Sequence, residues 1–159
     1  VAADRAGFLS SVARSKRLHG RWVNPPASPR QFAAFIERMA LPANHCFLVC
    51  TRHGDGLAGV INITHIVRGA FCSGYLDYYA FAGFEQQGLM KQGLSAVVRR
   101  AFSTLKLHRL EANVQPANSA SIGLVRACGF QREGYSPRYL KINGRWRDHE
   151  RWAILVNHR

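Results

Sequence analysis

Among the residues of this sequence that could do chemistry, those of Phe84-Glu85-Gln86-Gln87-Gly88-Leu89-Met90 come first. The segment links a strand-like run to a long amphipathic run. A glycine-containing turn at a helix start leaves backbone N–H groups without helical acceptors, with the helix dipole behind them. Such a turn is an anion site suited to a pyrophosphate. It carries neither GxGxxG nor GK[ST], so it is not a dinucleotide fingerprint or a P-loop. An ordinary strand-to-helix turn uses the same residues. A second cluster, His45, Cys46, Cys50 and His53, has zinc-binding residue types but no CxxC pair and no second ligand pair. The segment from His45 to Cys50 reads instead as a buried strand in which the cysteines are small apolar residues, and no metal is expected. Asp148 and His149 have acid–base types, yet adjacent strand residues point to opposite faces. Asp148 is therefore expected to make a structural hydrogen bond within its connection.

The elements that must position these residues follow from periodicity. One helix is expected over Asp4 to Leu18, with Phe8, Leu9 and Val12 on its apolar face. Ser28-Pro29-Arg30-Gln31 starts a second helix, which carries Phe32, Phe35, Ile36 and Met39 and ends near Pro42. Cys46 to Arg52 and Leu57 to His65 form a hairpin around Gly54-Asp55-Gly56. In its return strand Ile61 and Ile63 alternate with Asn62 and Thr64, so one face is wetter. Gly74 to Ala82 is a third strand. Gly88 to Leu105 is a helix with Met90, Leu94, Val97, Val98, Ala101, Phe102 and Leu105 on one stripe. Arg109 to Gln115 is a strand, and Asn118 caps a short helix that Gly129 ends. Two final strands are expected over Arg138 to Ile142 and Glu150 to Val156, with a connection around Asn143-Gly144 longer than two residues. The order gives a single mixed α/β domain.

Composition narrows the class. The 159 residues are 47% apolar, enough for one core and too apolar for disorder. No apolar run approaches a membrane span, and Asp4 and Arg5 interrupt any signal-peptide pattern. The reading is of a cytoplasmic protein with reduced thiols. Twenty-two basic residues oppose nine acidic ones, for a net charge of +13. The basic residues are dispersed, which argues against direct nucleic-acid binding and leaves an anionic cofactor or acidic partner as their use.

The segment Pro116-Ala117-Asn118-Ser119-Ala120-Ser121-Ile122-Gly123-Leu124, followed by Gly129-Phe130, resembles the P-x-N-x-x-S-x-x-L…GF pattern of the GCN5-related N-acetyltransferase (GNAT) superfamily. The tail from Glu133-Gly134-Tyr135 through Tyr139-Leu140-Lys141-Ile142-Asn143-Gly144-Arg145-Trp146-Arg147-Asp148-His149 is similar to the ribosomal-protein-alanine acetyltransferase branch, of RimJ/RimL type. So is Ile66-Val67-Arg68-Gly69-Ala70-Phe71. The resemblance runs from about residue 4 to the end.

It implies a GNAT domain over residues 1–159: a mostly antiparallel twisted sheet, splayed between the cofactor strand and the next strand, with about four flanking helices. The family's first edge strand has no counterpart here. The implied cofactor is acetyl-CoA. Its pantetheine arm would be held by the backbone around Tyr79 and Ala80, and its pyrophosphate by the amides of Gln86, Gln87, Gly88, Leu89 and Met90. Glu85 departs from the family's neutral or cationic residue and is expected to turn away. By position, Glu111 matches the general base. The family's tyrosine acid falls at Val125, and Ser121 is the expected substitute, close enough to donate to the sulfur. Asn118 serves as N-cap and as a cofactor hydrogen-bonding residue. Trp22, Tyr135, Tyr139 and Trp146 are candidates for the acceptor wall.

The implied reaction moves acetyl directly to a primary amine, such as the N-terminal α-amine of a ribosomal protein, in a monomer or homodimer. Two other readings stay open: acetylation of a small-molecule or antibiotic amine, and a basic ribosome- or RNA-associated module without catalysis.

Overall fold

A computed structural model describes residues 4–54 and 56–156. Among the described residues five helices and six strands follow in the order α1 (Arg5–Arg14), α2 (Lys16–His19), α3 (Pro29–Met39), β1 (His45–Cys50), β2 (Leu57–Val67), β3 (Ser73–Ala80), α4 (Leu89–Ser103), β4 (Arg109–Val114), α5 (Ser119–Ala127), β5 (Gln131–Ile142) and β6 (Arg145–Leu155). One sheet holds all six strands in the order β1-β2-β3-β4-β6-β5. Only the β3–β4 pairing is parallel.

Two cores sandwich this sheet. The larger lies under α4 and α5 and centres on Ile61, Ile63, Leu94, Leu110 and Val125, each fully buried. Two glycines let α4 sit close to the sheet. A Cβ on Gly93 would stand 2.7 Å from the Val49 side chain, and one on Gly59 would meet Met90 and the Tyr79 carbonyl. The second core, on the other face, is aromatic: Phe8 of α1 meets Phe32 and Phe35 of α3 and Phe81 at ring separations of 5.0–5.9 Å.

Local signals placed α3 and α5 well. Ser28 Oγ accepts from Gln31 N–H, and Pro29 opens the helix. Asn118 Oδ1 accepts from Ser121 N–H, and Gly129 follows the C-cap at φ +89°. Two expectations need correction, besides the helix count of about four. The first helix breaks at Ser15, whose hydroxyl donates back to Ser11 C=O and accepts from Ala82 N–H. A fully buried serine serving a distant strand end outweighs helix continuity. The last two strands are also much longer than expected. Ile142 pairs directly with Arg145, so the connection is only two residues, Asn143 and Gly144. Both have positive φ, the geometry that matches strand twist in a tight hairpin. The charged run through this hairpin hid its strand character.

Candidate active site

The site begins where two strands part. β3 and β4 pair from Ser73↔Arg109 to Leu76↔Ala112 and no further, although β3 continues to Ala80 and β4 to Val114. Beyond that rung an opening runs through the sheet. Phe81 N–H donates to Ala58 C=O on β2. Backbone groups alternate sides along a strand, so Tyr78 and Ala80 turn theirs toward the opening and Tyr79 turns its own to β2. The expected pair Tyr79 and Ala80 is thereby corrected: the free edge belongs to Tyr78 and Ala80. One of those groups is already used, because His19 Nε2 lies 2.8 Å from Ala80 C=O. Burial lowers the His19 pKa, so this ring is a neutral donor.

On the α4/α5 face, the loop after β3 enters α4 through positive-φ Gln86 and Gly88. The first helical bond is Gln92 N–H to Gly88 C=O, so the amides of Leu89 and Met90 precede any helical acceptor. Gln86, Gln87 and Gly88 are exposed there, and Leu89 and Met90 half-buried. Glu85 folds back on its own turn, with its carboxylate accepting from Gly83 N–H at 2.6 Å. Gln87 Nε2 donates to Gly83 C=O.

Next to this edge, Tyr78 and Ser121 share a hydrogen bond of 2.6 Å between their hydroxyls. Val125, in the position where the superfamily carries its tyrosine, is buried and apolar. A phenol from β3 meets the α5 serine instead. Burial raises the Tyr78 pKa to about 12, so the phenol keeps its proton at any physiological pH. Tyr78 escaped the sequence reading because a tyrosine in a strand run looks like core.

On the opposite face the opening widens into a cavity of about 560 Å3. Of the four aromatic candidates, Trp22 and Tyr139 line it; Tyr135 and Trp146 do not. Tyr135 instead donates to Asp148 Oδ2, and Arg138 N–H donates to Oδ1, which makes Asp148 structural as expected. Gln115 Nε2 donates to Arg21 C=O and ties the segment before α3 over the cavity. Asn118, Asn62, Asp77 and Asn113 also reach the lining. Glu111 stands on this face but outside the lining. Its Oε1 accepts from Arg109 Nε at 2.8 Å, and the same guanidinium binds Glu133.

Known proteins match this arrangement. Residues 1–131 match the acetyltransferase (GNAT) domain. The chain belongs to the GNAT acetyltransferase family. It is similar to the probable N-acetyltransferase YjcK of Bacillus subtilis, with 34% identity over 79% of this chain and 70% of that one. It is also similar to the [ribosomal protein uS5]-alanine N-acetyltransferase of Escherichia coli, with 41% identity over 63% of this chain and 52% of that enzyme, about half its length. The spermidine N(1)-acetyltransferase of Vibrio cholerae is 32% identical over 93% of this chain and 86% of its own. Among solved structures, Mycobacterium smegmatis RimJ in complex with CoA-disulfide superposes with a TM-score of 0.89 at 23% identity, covering 98% of this chain and 79% of that one.

GNAT acetyltransferases use acetyl-CoA, and the residues of this GNAT domain fit it. A strand edge left open at Tyr78 and Ala80 suits a pantetheine arm. The amides at the start of α4 suit its phosphates. The paired hydroxyls of Tyr78 and Ser121 lie beside that strand edge. No helix among the described residues is long and apolar enough to cross a membrane.

Proposed function

We propose that this GNAT domain acetylates a primary amine on a protein, the N-terminal α-amine of a ribosomal protein, in the cytoplasm. The observation that carries the reading is the two-sided opening between β3 and β4. Backbone donors and a half-buried Tyr78–Ser121 pair occupy one side, and a polar, carboxylate-bearing cavity occupies the other. Acetyl-CoA, when bound, supplies an activated acyl group as a thioester. Tyr78 and Ser121 then hold a proton for the departing sulfur, with Ser121 fixed by the Asn118 cap. On the acceptor face Asp77 and Glu111 are the carboxylates available to remove the amine proton. Glu111, the base expected from the sequence, is the one tied to Arg109.

The similarity to the uS5-alanine enzyme supports a protein N-terminus, as does an open cavity walled by Trp22 and Tyr139. The similarity to the spermidine enzyme, over nearly the whole chain, favours a second reading: a small polyamine as acceptor. Calorimetric titration of CoA, followed by acetylation assays on alanine-headed peptides and on spermidine, separates the two. Micromolar CoA binding with peptide turnover supports the first reading; turnover of spermidine alone replaces it. Asn118→Ala is expected to weaken CoA binding about fivefold, from loss of roughly 1 kcal/mol of capping.

A further inference from the structure

Three side chains stand in a row across three strands on the acceptor face. Asn62 of β2 is in register with Asp77 of β3. Asn113 of β4 occupies the rung that would follow Leu76↔Ala112 had the strands stayed paired. All three line the cavity, at the point where the sheet opens. Asn62 is 2% exposed, and its Nδ2 donates to Asp77 Oδ2 at 3.3 Å. A carboxylate only accepts, so this bond fixes which way the amide is turned. Asn62 Oδ1 is then left buried with no partner, and Asn113 Oδ1 is buried without one too. Asp77 has no ion-pair partner among the described residues. Buried oxygens without donors are costly, and their presence needs a reason.

We infer that Asp77, Asn62 and Asn113 form the ammonium subsite of this enzyme, in which Asp77 binds the acceptor amine and takes its proton. The inference rests on the acetyltransferase reading above and names the residues that receive the acceptor. A primary ammonium brings three N–H donors and one positive charge. The row offers one carboxylate and two amide oxygens, at the opening that leads to Tyr78 and Ser121 on the other face. Protons and bonds balance: Asp77 takes one proton from the ammonium, the N–C bond forms as the C–S bond breaks, the Tyr78–Ser121 pair gives one proton to sulfur, and the second proton that the nitrogen sheds on becoming an amide restores that pair through water. Water then removes the proton from Asp77.

Asp77 is exposed to the cavity, where desolvation by the surrounding walls raises its pKa, opposed by the Asn62 hydrogen bond and Arg38. The charged or titratable groups facing it are Arg38 from α3, Cys46 from β1, His65 from β2 and Tyr79 on its own strand, with Tyr139 and His149 further along the cavity wall. Glu111 is left as a positioning residue held by Arg109.

The test is calorimetric, on the CoA-saturated protein. Its probes are an alanine-headed hexapeptide, the des-amino analogue of that peptide, and spermidine. Wild type is expected to bind the free-amine peptide at least tenfold more tightly than the des-amino analogue. Asp77→Asn should erase that preference while CoA affinity stays within about threefold of wild type, which shows the variant is folded. Glu111→Gln should keep it. The acid limb of the kcat/KM profile should disappear in Asp77→Asn only.

A preference that survives Asp77→Asn, or is lost in Glu111→Gln instead, overturns the assignment. If only spermidine binds and its binding depends on Asp77, the subsite stands and the N-terminal peptide reading falls. If wild type binds neither probe at millimolar concentration, the subsite is wrong.

Discussion

The two faces of the opening between β3 and β4 are built differently. The α4/α5 face uses backbone amides, a helix start and one hydroxyl pair, all supplied within the span from β3 to α5. The α1–α3 face draws its cavity from the segment before α3 and from β2, β3, β4, β5 and β6. The first can be specified by short motifs. The second needs side chains brought together from most of the chain. One strand serves both: the Tyr78 hydroxyl bonds Ser121 of α5, while Asp77 pairs with Asn62 in the cavity lining, which Tyr78 also reaches.

Phe8→Ala should have the largest effect and should fall on the acceptor side. Phe8 is fully buried against Phe32, Phe35 and Phe81, and its loss is expected to cost about 3–5 kcal/mol of stability. Denaturant titration measures it. Below the melting transition, acceptor KM should rise while CoA affinity holds; equal loss on both sides would mean the two faces are not independent.

Tyr78→Phe comes next, with kcat expected to fall about a hundredfold, a barrier increase of roughly 2.7 kcal/mol, and CoA affinity little changed. Since Tyr78 stays protonated up to about pH 12, any basic limb seen below pH 10 should persist in this variant. Its disappearance would show that the phenol ionises in the working range.

Glu85→Gln should be the smallest. The exposed carboxylate already bonds Gly83 N–H, so removing its charge near the loop should tighten CoA only about twofold, and less at high salt. A tenfold gain would show that Glu85 turns inward onto the phosphates.

Much of the frame was legible in the residues. The Ser28-Pro29 and Asn118…Gly129 signals gave α3 and α5, because capping is a local hydrogen-bond problem that neighbouring residues solve. The alternation of Ile61 and Ile63 with Asn62 and Thr64 marked a wet face on β2, and that face proved to line the cavity. A lone Asp77 in the strand run Tyr75-Leu76-Asp77-Tyr78-Tyr79 is a comparable signal. Tyr78 offered none, since its aromatic ring suits core as well as catalysis.

The sequence by itself determined the mixed α/β class, the caps, the turn into α4 and the family motif around Asn118 and Ser121. These depend on periodicity and on neighbours within a few residues. Only the tertiary structure decided where β3 and β4 part, which backbone groups face the gap, and that the Tyr78 phenol meets Ser121. It alone brought Asn62, Asp77 and Asn113 to one cavity lining. Those placements come from strand register across the sheet, a long-range packing outcome that no local run of residues encodes.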